Sequence, residues 1–278
     1  MNNKILLSLS LLSLALLQAC GGGGHSGGGA PAGVAPTAVA PAQGQAAASA
    51  ATNSGSVSAA FVRTERARYQ LLGAGVQSFG ALSASEQAPS GAMTRLSDTT
   101  LTGQSATREI SGDANFALGR WVAGTVTRGS GAEMLTGKDN RAYHYIALNA
   151  LAAMPTPRST SCDAGAFTAP TYVGGGIGVA ADSGSAGGAA TLAFDRDGAM
   201  VGGAVTVSVG GAAETVKLDA KVATVSSTSI TGRFLSGGSG AAIALGGHGD
   251  KAFVLAAGYV ATLPSGARYA GIAKFRCS

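Results

Sequence analysis

The chain predicts an all-β fold, an antiparallel sheet closed into a barrel, and three observations predict it. From Asn115 onward nine or ten short segments with strand-like alternation are separated by turn chemistry, with no long helical periodicity between them. Glycine supplies 44 of 278 residues and only 12% of the chain is charged, a composition that weakens helices but that exported β-proteins absorb in turns, bulges and tight corners. Closure follows because an open sheet of so many strands would leave pairing edges exposed. A membrane-spanning barrel is the weaker alternative, since aromatic residues at 5% are too few for the girdles such barrels carry.

Taken in order, residues 1–19 read as a lipoprotein signal peptide. Lys4 forms a short basic region, and Ile5 to Leu17 is apolar apart from Ser8, Ser10 and Ser13. That run is shorter than the ~20 apolar residues a spanning helix needs and suits a cleaved leader. Leu17-Gln18-Ala19-Cys20 reads as a lipobox. Ala19 fits the small pocket of the peptidase, and the Cys20 thiol is the lipid attachment point for acyl chains such as palmitate. One chain anchors only marginally at ~0.8 kcal/mol per buried methylene, and two or three anchor stably. Gly21 stands where an aspartate commonly signals inner-membrane retention, so the expected location is the outer membrane.

Residues 20–55 read as a lipidated, disordered Gly/Ala/Pro-rich tether, with glycines at 21–24 and 27–29 and no apolar periodicity. About 34 flexible residues span roughly 30 to 35 Å, enough to hold a folded part clear of a membrane. Residues 56–114 are expected to be a small, poorly defined N-terminal segment. Val62, Tyr69, Leu72, Val76 and Phe79 fall near one helical face, but Gly73 and Gly75 each cost ~1 kcal/mol in a helix, so the stretch predicts a short helix or a strand against the barrel. Met93 to Thr102 is a candidate leading strand.

Residues 115–278 carry the barrel. Its segments are Phe116 to Thr127, Arg141 to Leu151, Gly165 to Gly174, Ala189 to Phe194, Met200 to Val209, Glu214 to Thr224, Ser229 to Leu235, Ala241 to Leu245, Ala252 to Val260 and Ala267 to Arg276. In the second, Tyr143, Tyr145 and Ala147 alternate with His144, Ile146 and Leu148.

Removing Lys4 with the leader leaves 18 basic residues against 14 acidic ones. The basic residues are scattered, with no dense block of the kind nucleic-acid binding needs. With Cys20 lipidated, Cys162 and Cys277 remain as an even pair in an oxidising compartment, which predicts a disulfide between them.

Several side chains could in principle hold a ligand. His144 between Tyr143 and Tyr145, and His248 in Gly246-Gly247-His248-Gly249-Asp250, supply imidazole and phenolate groups of the kind haem or metal sites use. On a strand, however, His144 points away from both tyrosines, and His248 reads as a hairpin tip. Asp195-Arg196-Asp197-Gly198 opens like a calcium loop, but Thr206 occupies the twelfth position where a glutamate is due, so a hairpin turn explains it better. The expectation is no metal and no cofactor. No nucleophile elbow or acid pair is evident, and Gly237-Gly238-Ser239-Gly240 reads as a loop, so the chain does not read as an enzyme.

Four stretches resemble the eight-stranded barrel of transferrin-binding protein B, factor H binding protein and related surface lipoproteins of Gram-negative bacteria. Cys20 with its glycine-rich tether resembles their mature start. Gly119-Arg120-Trp121-Val122-Ala123-Gly124 is similar to the first barrel strand, and Tyr143-His144-Tyr145 to the second. Met154-Pro155-Thr156 through Tyr172 is similar to the connection and third strand. Phe253 to Phe275, with Gly258-Tyr259 and Ala270-Gly271-Ile272-Ala273, is similar to the closing hairpin. The acidic residues of the family's last loop are replaced here by Pro264-Ser265-Gly266-Ala267-Arg268, and only Gly271 remains of its glycine pair.

The resemblance implies a single eight-stranded barrel over roughly Asn115 to Ser278, with little of the family's handle domain. In a closed antiparallel barrel the start of strand three and the end of strand eight share a rim, which permits the Cys162–Cys277 bond. The resemblance also implies display on the cell surface by a dedicated lipoprotein translocator, and binding of a host or environmental macromolecule of the iron-carrier or immune-factor class. The alternatives are a structural or assembly lipoprotein of the envelope, and a carrier of a small apolar ligand or haem, since eight-stranded barrels are either filled or hold one small ligand.

Overall fold

The computed structural model describes residues 52–176 and 183–278. The described residues are almost entirely β, 63% strand, with a curled antiparallel sheet of half-barrel form. The sole helical element among the described residues is one 3₁₀ turn at Phe234–Ser236.

The first sheet has nine strands: β1 (Gly55–Val57), β2 (Ala67–Gly73), β3 (Val76–Ala81), β4 (Ser85–Gln87), β5 (Met93–Leu96), β6 (Thr99–Asp113), β7 (Phe116–Arg128), β8 (Gly131–Thr136) and β9 (Tyr143–Asn149). Their order is β3-β2-β9-β7-β6-β5-β4, with β8 antiparallel on β7 and β1 parallel on β6. The stretch expected as a short helix or a lone strand is instead the β2–β3 hairpin. Gly73 pairs with Val76, and Gly75 takes φ +70 in the turn between them, a conformation that glycine adopts without steric cost. The apolar residues then sort by twos, Leu71 to one face and Leu72 to the other. The first strand begins at Gly55, and Ser54 already exchanges backbone hydrogen bonds with Thr107 and Ile110.

The remaining strands are β10 (Arg158–Ser161), β11 (Ala166–Phe167), β12 (Thr171–Gly174), β13 (Ser185–Asp195), β14 (Gly198–Val209), β15 (Ala212–Lys217), β16 (Ala220–Val222), β17 (Ser229–Ile230), β18 (Gly240–His248), β19 (Ala252–Thr262) and β20 (Arg268–Cys277). They form a five-stranded sheet in the order β10-β13-β14-β15, with β16 also on β14. A six-stranded sheet follows in the order β11-β20-β19-β18-β17, with β12 also on β20.

The run 158–174 joins these two sheets. Its first part pairs with β13. Cys162 then lies opposite Cys277, Ser161 and Ser278 exchange backbone hydrogen bonds, and β11 and β12 pair with β20. Cys162 and Cys277 are disulfide-bonded with their α-carbons 3.9 Å apart, the pairing that cysteine counting predicts.

Gly119–Gly124 and Tyr143–Tyr145 lie in the nine-stranded sheet, on β7 and β9, which pair with each other and with β6 and β2. They are therefore not in one sheet with the β19–β20 hairpin, as a barrel counted from Asn115 requires. The upstream strands captured them: β6 pairs along nearly the whole length of β7.

Three apolar layers result. Leu71, Trp121, Tyr143, Tyr145 and Ala147 fill the inner face of the nine-stranded sheet. Phe253, Leu255, Tyr259, Tyr269 and Phe275 fill the interior of the C-terminal sheets. Between the two lobes lie Leu72, Phe116, Ile146 and Leu148 against Val254, Ala256, Val260 and Ile272. The central strands are buried on both faces, which is why β19 reads as a near-continuous apolar run. Burying each large apolar side chain contributes about 1.5–3 kcal/mol. Close approach of the lobes depends on Gly258, where a β-carbon would stand 2.8 Å from Gln70 Oε1 and from Leu72 Cδ1.

Candidate functional site

The joint between the lobes is sealed by polar side chains that share a buried layer. His144 on β9 is fully buried, and its Nδ1 and Nε2 share hydrogen bonds with Thr168 Oγ1 at 2.8 Å and Thr171 Oγ1 at 2.6 Å. Both threonines belong to the run 158–174, and Thr168 Oγ1 also accepts the Ile272 backbone N–H at 2.8 Å. Burial holds the His144 imidazole well below its ordinary pKa, with the nearby Arg120 charge adding to the shift, so it is neutral. Arg120, paired with His144 across the ladder, donates from Nε and Nη2 to the two Glu109 oxygens, each at 2.7 Å. Glu109 sits at φ +51 where β6 slips register between Arg108 and Ser111. The bulge re-aims its carboxylate at Arg120 and stores ~1–3 kcal/mol of backbone strain.

Other links tie the same faces. His248, the last residue of β18, holds Asp113 at 2.7 Å. Burial pushes the Asp113 carboxyl up, but hydrogen bonds from Asn115 and His248 outweigh it, so the net shift is downward. Gln70 Nε2 donates to the Ala242 carbonyl at 3.0 Å, Gln77 Nε2 to the Phe234 carbonyl at 3.0 Å, and Lys274 Nζ lies 5.0 Å from the Phe116 ring centre.

Beside this joint a cleft of about 450 Å³ opens between the β2–β3 hairpin and the C-terminal lobe. Its wall includes Leu72, Val76, Val173, Leu235 and Val260, with Arg128 from the end of β7 and Arg268 from the start of β20. Arg268 Nη1 donates to the Gly237 carbonyl at 3.1 Å. Its guanidinium lies close over Gly174 and Gly237, where a side chain at either position would collide with it.

Tyr143 and Tyr145 point into the inner core, opposite His144. Tyr143 donates to Glu133 Oε2 at 2.6 Å, while Tyr145 accepts the Met93 N–H at 3.1 Å; burial raises both phenol pKa values. Asp195 to Gly198 is the β13–β14 turn, with the Asp197 N–H on Asp195 Oδ1 at 2.7 Å. Cys162 and Cys277 come together, and Cys20 lies outside the described residues, as do the signal peptide and most of the tether. Among the described residues no three His, Cys, Asp or Glu side chains group as a metal site, and no helix is long and apolar enough to cross a membrane.

Sequence reading missed the cleft pair because Arg128 and Arg268 come from different lobes and share no motif. Thr168 and Thr171 lie among other small residues with no distinguishing pattern. Comparison with protein-family models, curated proteins and solved structures returns no match to this chain.

Proposed function

We propose that this protein is a lipid-anchored binding module of the bacterial outer membrane, displayed on the cell surface, that holds a host or environmental macromolecule such as an iron carrier or immune factor. The observation that carries the reading is the filled interior of the C-terminal lobe. Phe253, Leu255, Tyr259, Tyr269 and Phe275 occupy it, so recognition falls to the outer surface of a braced scaffold. The same filling disfavours a small apolar ligand or haem carried inside.

In this reading the run 158–174, β13, β14, β15 with β16, β17, β18, β19 and β20 are the eight strands of one barrel. The pairing of that run with both β13 and β20 supports closure. The nine-stranded sheet then backs the barrel as a partner domain. Acyl chains on Cys20 hold the protein to the membrane, the tether lifts it clear, and a surface lipoprotein translocator delivers it.

External protease on intact cells tests the reading: cleavage without lysis is the expected result. Cleavage only after lysis would move the protein to an envelope assembly role. Cys20→Ala is expected to shift the protein from the detergent phase to the aqueous phase, and continued partition with detergent would remove the anchor from the reading. Mature protein is then used to capture partners from host fluids and spent medium.

A further inference from the structure

We propose that the cleft beside the lobe joint binds a small amphipathic anion, a single acid group on an apolar body. Two features of its wall point there together.

The first is positive charge from both lobes. Among the described residues Arg128 and Arg268 both line the cleft, no carboxylate lines it with them, and neither guanidinium is in an ion pair, while Arg128 also borders an adjoining hollow that Asp98 and Glu133 line. Arg268 is also positioned, because the Gly237 carbonyl takes Nη1 and the glycine backbone at 174 leaves room for Nη2. A guanidinium held in place loses less freedom on binding, and its fork suits a carboxylate or phosphate-type oxygen pair.

The second feature is apolar surface in the same wall. Leu72, Val76, Val173 and Val260 line it, and Leu235 is 67% exposed at its edge. A leucine so exposed beside two arginines is served by neither a bare anion, which leaves the apolar wall wet, nor a neutral apolar molecule, which leaves the Arg268 charge unmatched. An acid on a short apolar chain meets both, and about 450 Å³ lies within the range of small-molecule sites. The site is composite, with Arg128 and Val76 from the nine-stranded sheet and Arg268 and Leu235 from the C-terminal lobe, so the locked joint sets its width.

The inference stands apart from surface display, since it concerns the folded protein wherever it resides. The test is calorimetric titration of the full chain carrying Cys20→Ala with octanoate, 1-octanol and acetate. Octanoate is expected to bind, with octanol and acetate weaker by about tenfold or more, as a charge-assisted contact and an apolar contact are each lost in turn. Arg268→Gln and Arg128→Gln should each weaken octanoate about tenfold and leave octanol unchanged. Arg128 is exposed at a strand end, so its variant carries the test should Arg268→Gln fail to fold. Octanol binding as well as octanoate, acetate binding as well as octanoate, no octanoate binding, or indifference of octanoate to Arg128→Gln would each overturn the proposal.

Discussion

His144 holds a neutral imidazole fully buried between the lobes, and that choice has a pH signature. In the unfolded chain the ring titrates near its ordinary value of 6.5, whereas in the folded protein burial and Arg120 hold it well below that. Above pH 6.5 neither state is protonated and nothing is lost. Below it the unfolded chain takes a proton that the folded protein refuses, so stability falls by up to about 1.4 kcal/mol per pH unit until the folded value is reached. Urea midpoints at neutral and mildly acid pH should show this slope, and His144→Gln should flatten it; an unchanged slope would count against the buried neutral ring. Gly271 gives a second expectation at this scale. A β-carbon there would collide with the Tyr259 hydroxyl across the ladder, so Gly271→Ala should lower stability by about 1–3 kcal/mol, read as a shift in denaturant midpoint. The opposition of His144 to its two tyrosines was legible from strand alternation. Its threonine partners were not, because they follow 24 and 27 residues later among residues that carry no periodic signal.

At the scale of elements, the run 158–174 pairs first with β13 and then with β20, and the disulfide fastens it to β20. The bond closes a separation of 115 residues, for which the chain-entropy account gives an upper guide near ~4.7 kcal/mol. Cys277→Ser should therefore lower the melting temperature clearly. The oxidised chain carrying Cys20→Ala should show no alkylatable thiol by mass spectrometry, and two labelled cysteines in unreduced protein would defeat the assignment. The pairing was legible by counting cysteines. Rim parity reached the same pair from a strand count that began at Asn115, and the structure gives a plainer reason: the two residues face each other on neighbouring strands. The boundary at 115 misled because residues 104–113 have few apolar side chains, and three register shifts break their alternation against β7. A strand of that kind is recognised by its partner rather than by its own pattern.

At the scale of the molecule, two β-lobes stand back to back, and each supplies half of the layer between them. A fragment starting at Arg158 would expose Val254, Ala256, Val260 and Ile272, which normally meet the nine-stranded sheet, as a continuous apolar patch. Such a fragment is expected to self-associate, and sedimentation showing a stable, well-folded monomer would contradict the interlocked arrangement. The all-β class was legible because turns and glycines announce themselves locally. The division into lobes was not, since strands buried on both faces look alike whichever sheet they join.

The double pairing of the run 158–174 also bears on the order of events during synthesis. Its threonines reach back to His144 on one lobe while its backbone waits for β20, a hundred or so residues further along the chain. Until β20 emerges, half of the run's hydrogen bonds and its covalent staple are missing, so the histidine's receptors are not yet held in place. The C-terminal lobe cannot then settle while the chain is being made. Folding dominated by such distant contacts is slow, so the C-terminal lobe is the last part of the chain to lock.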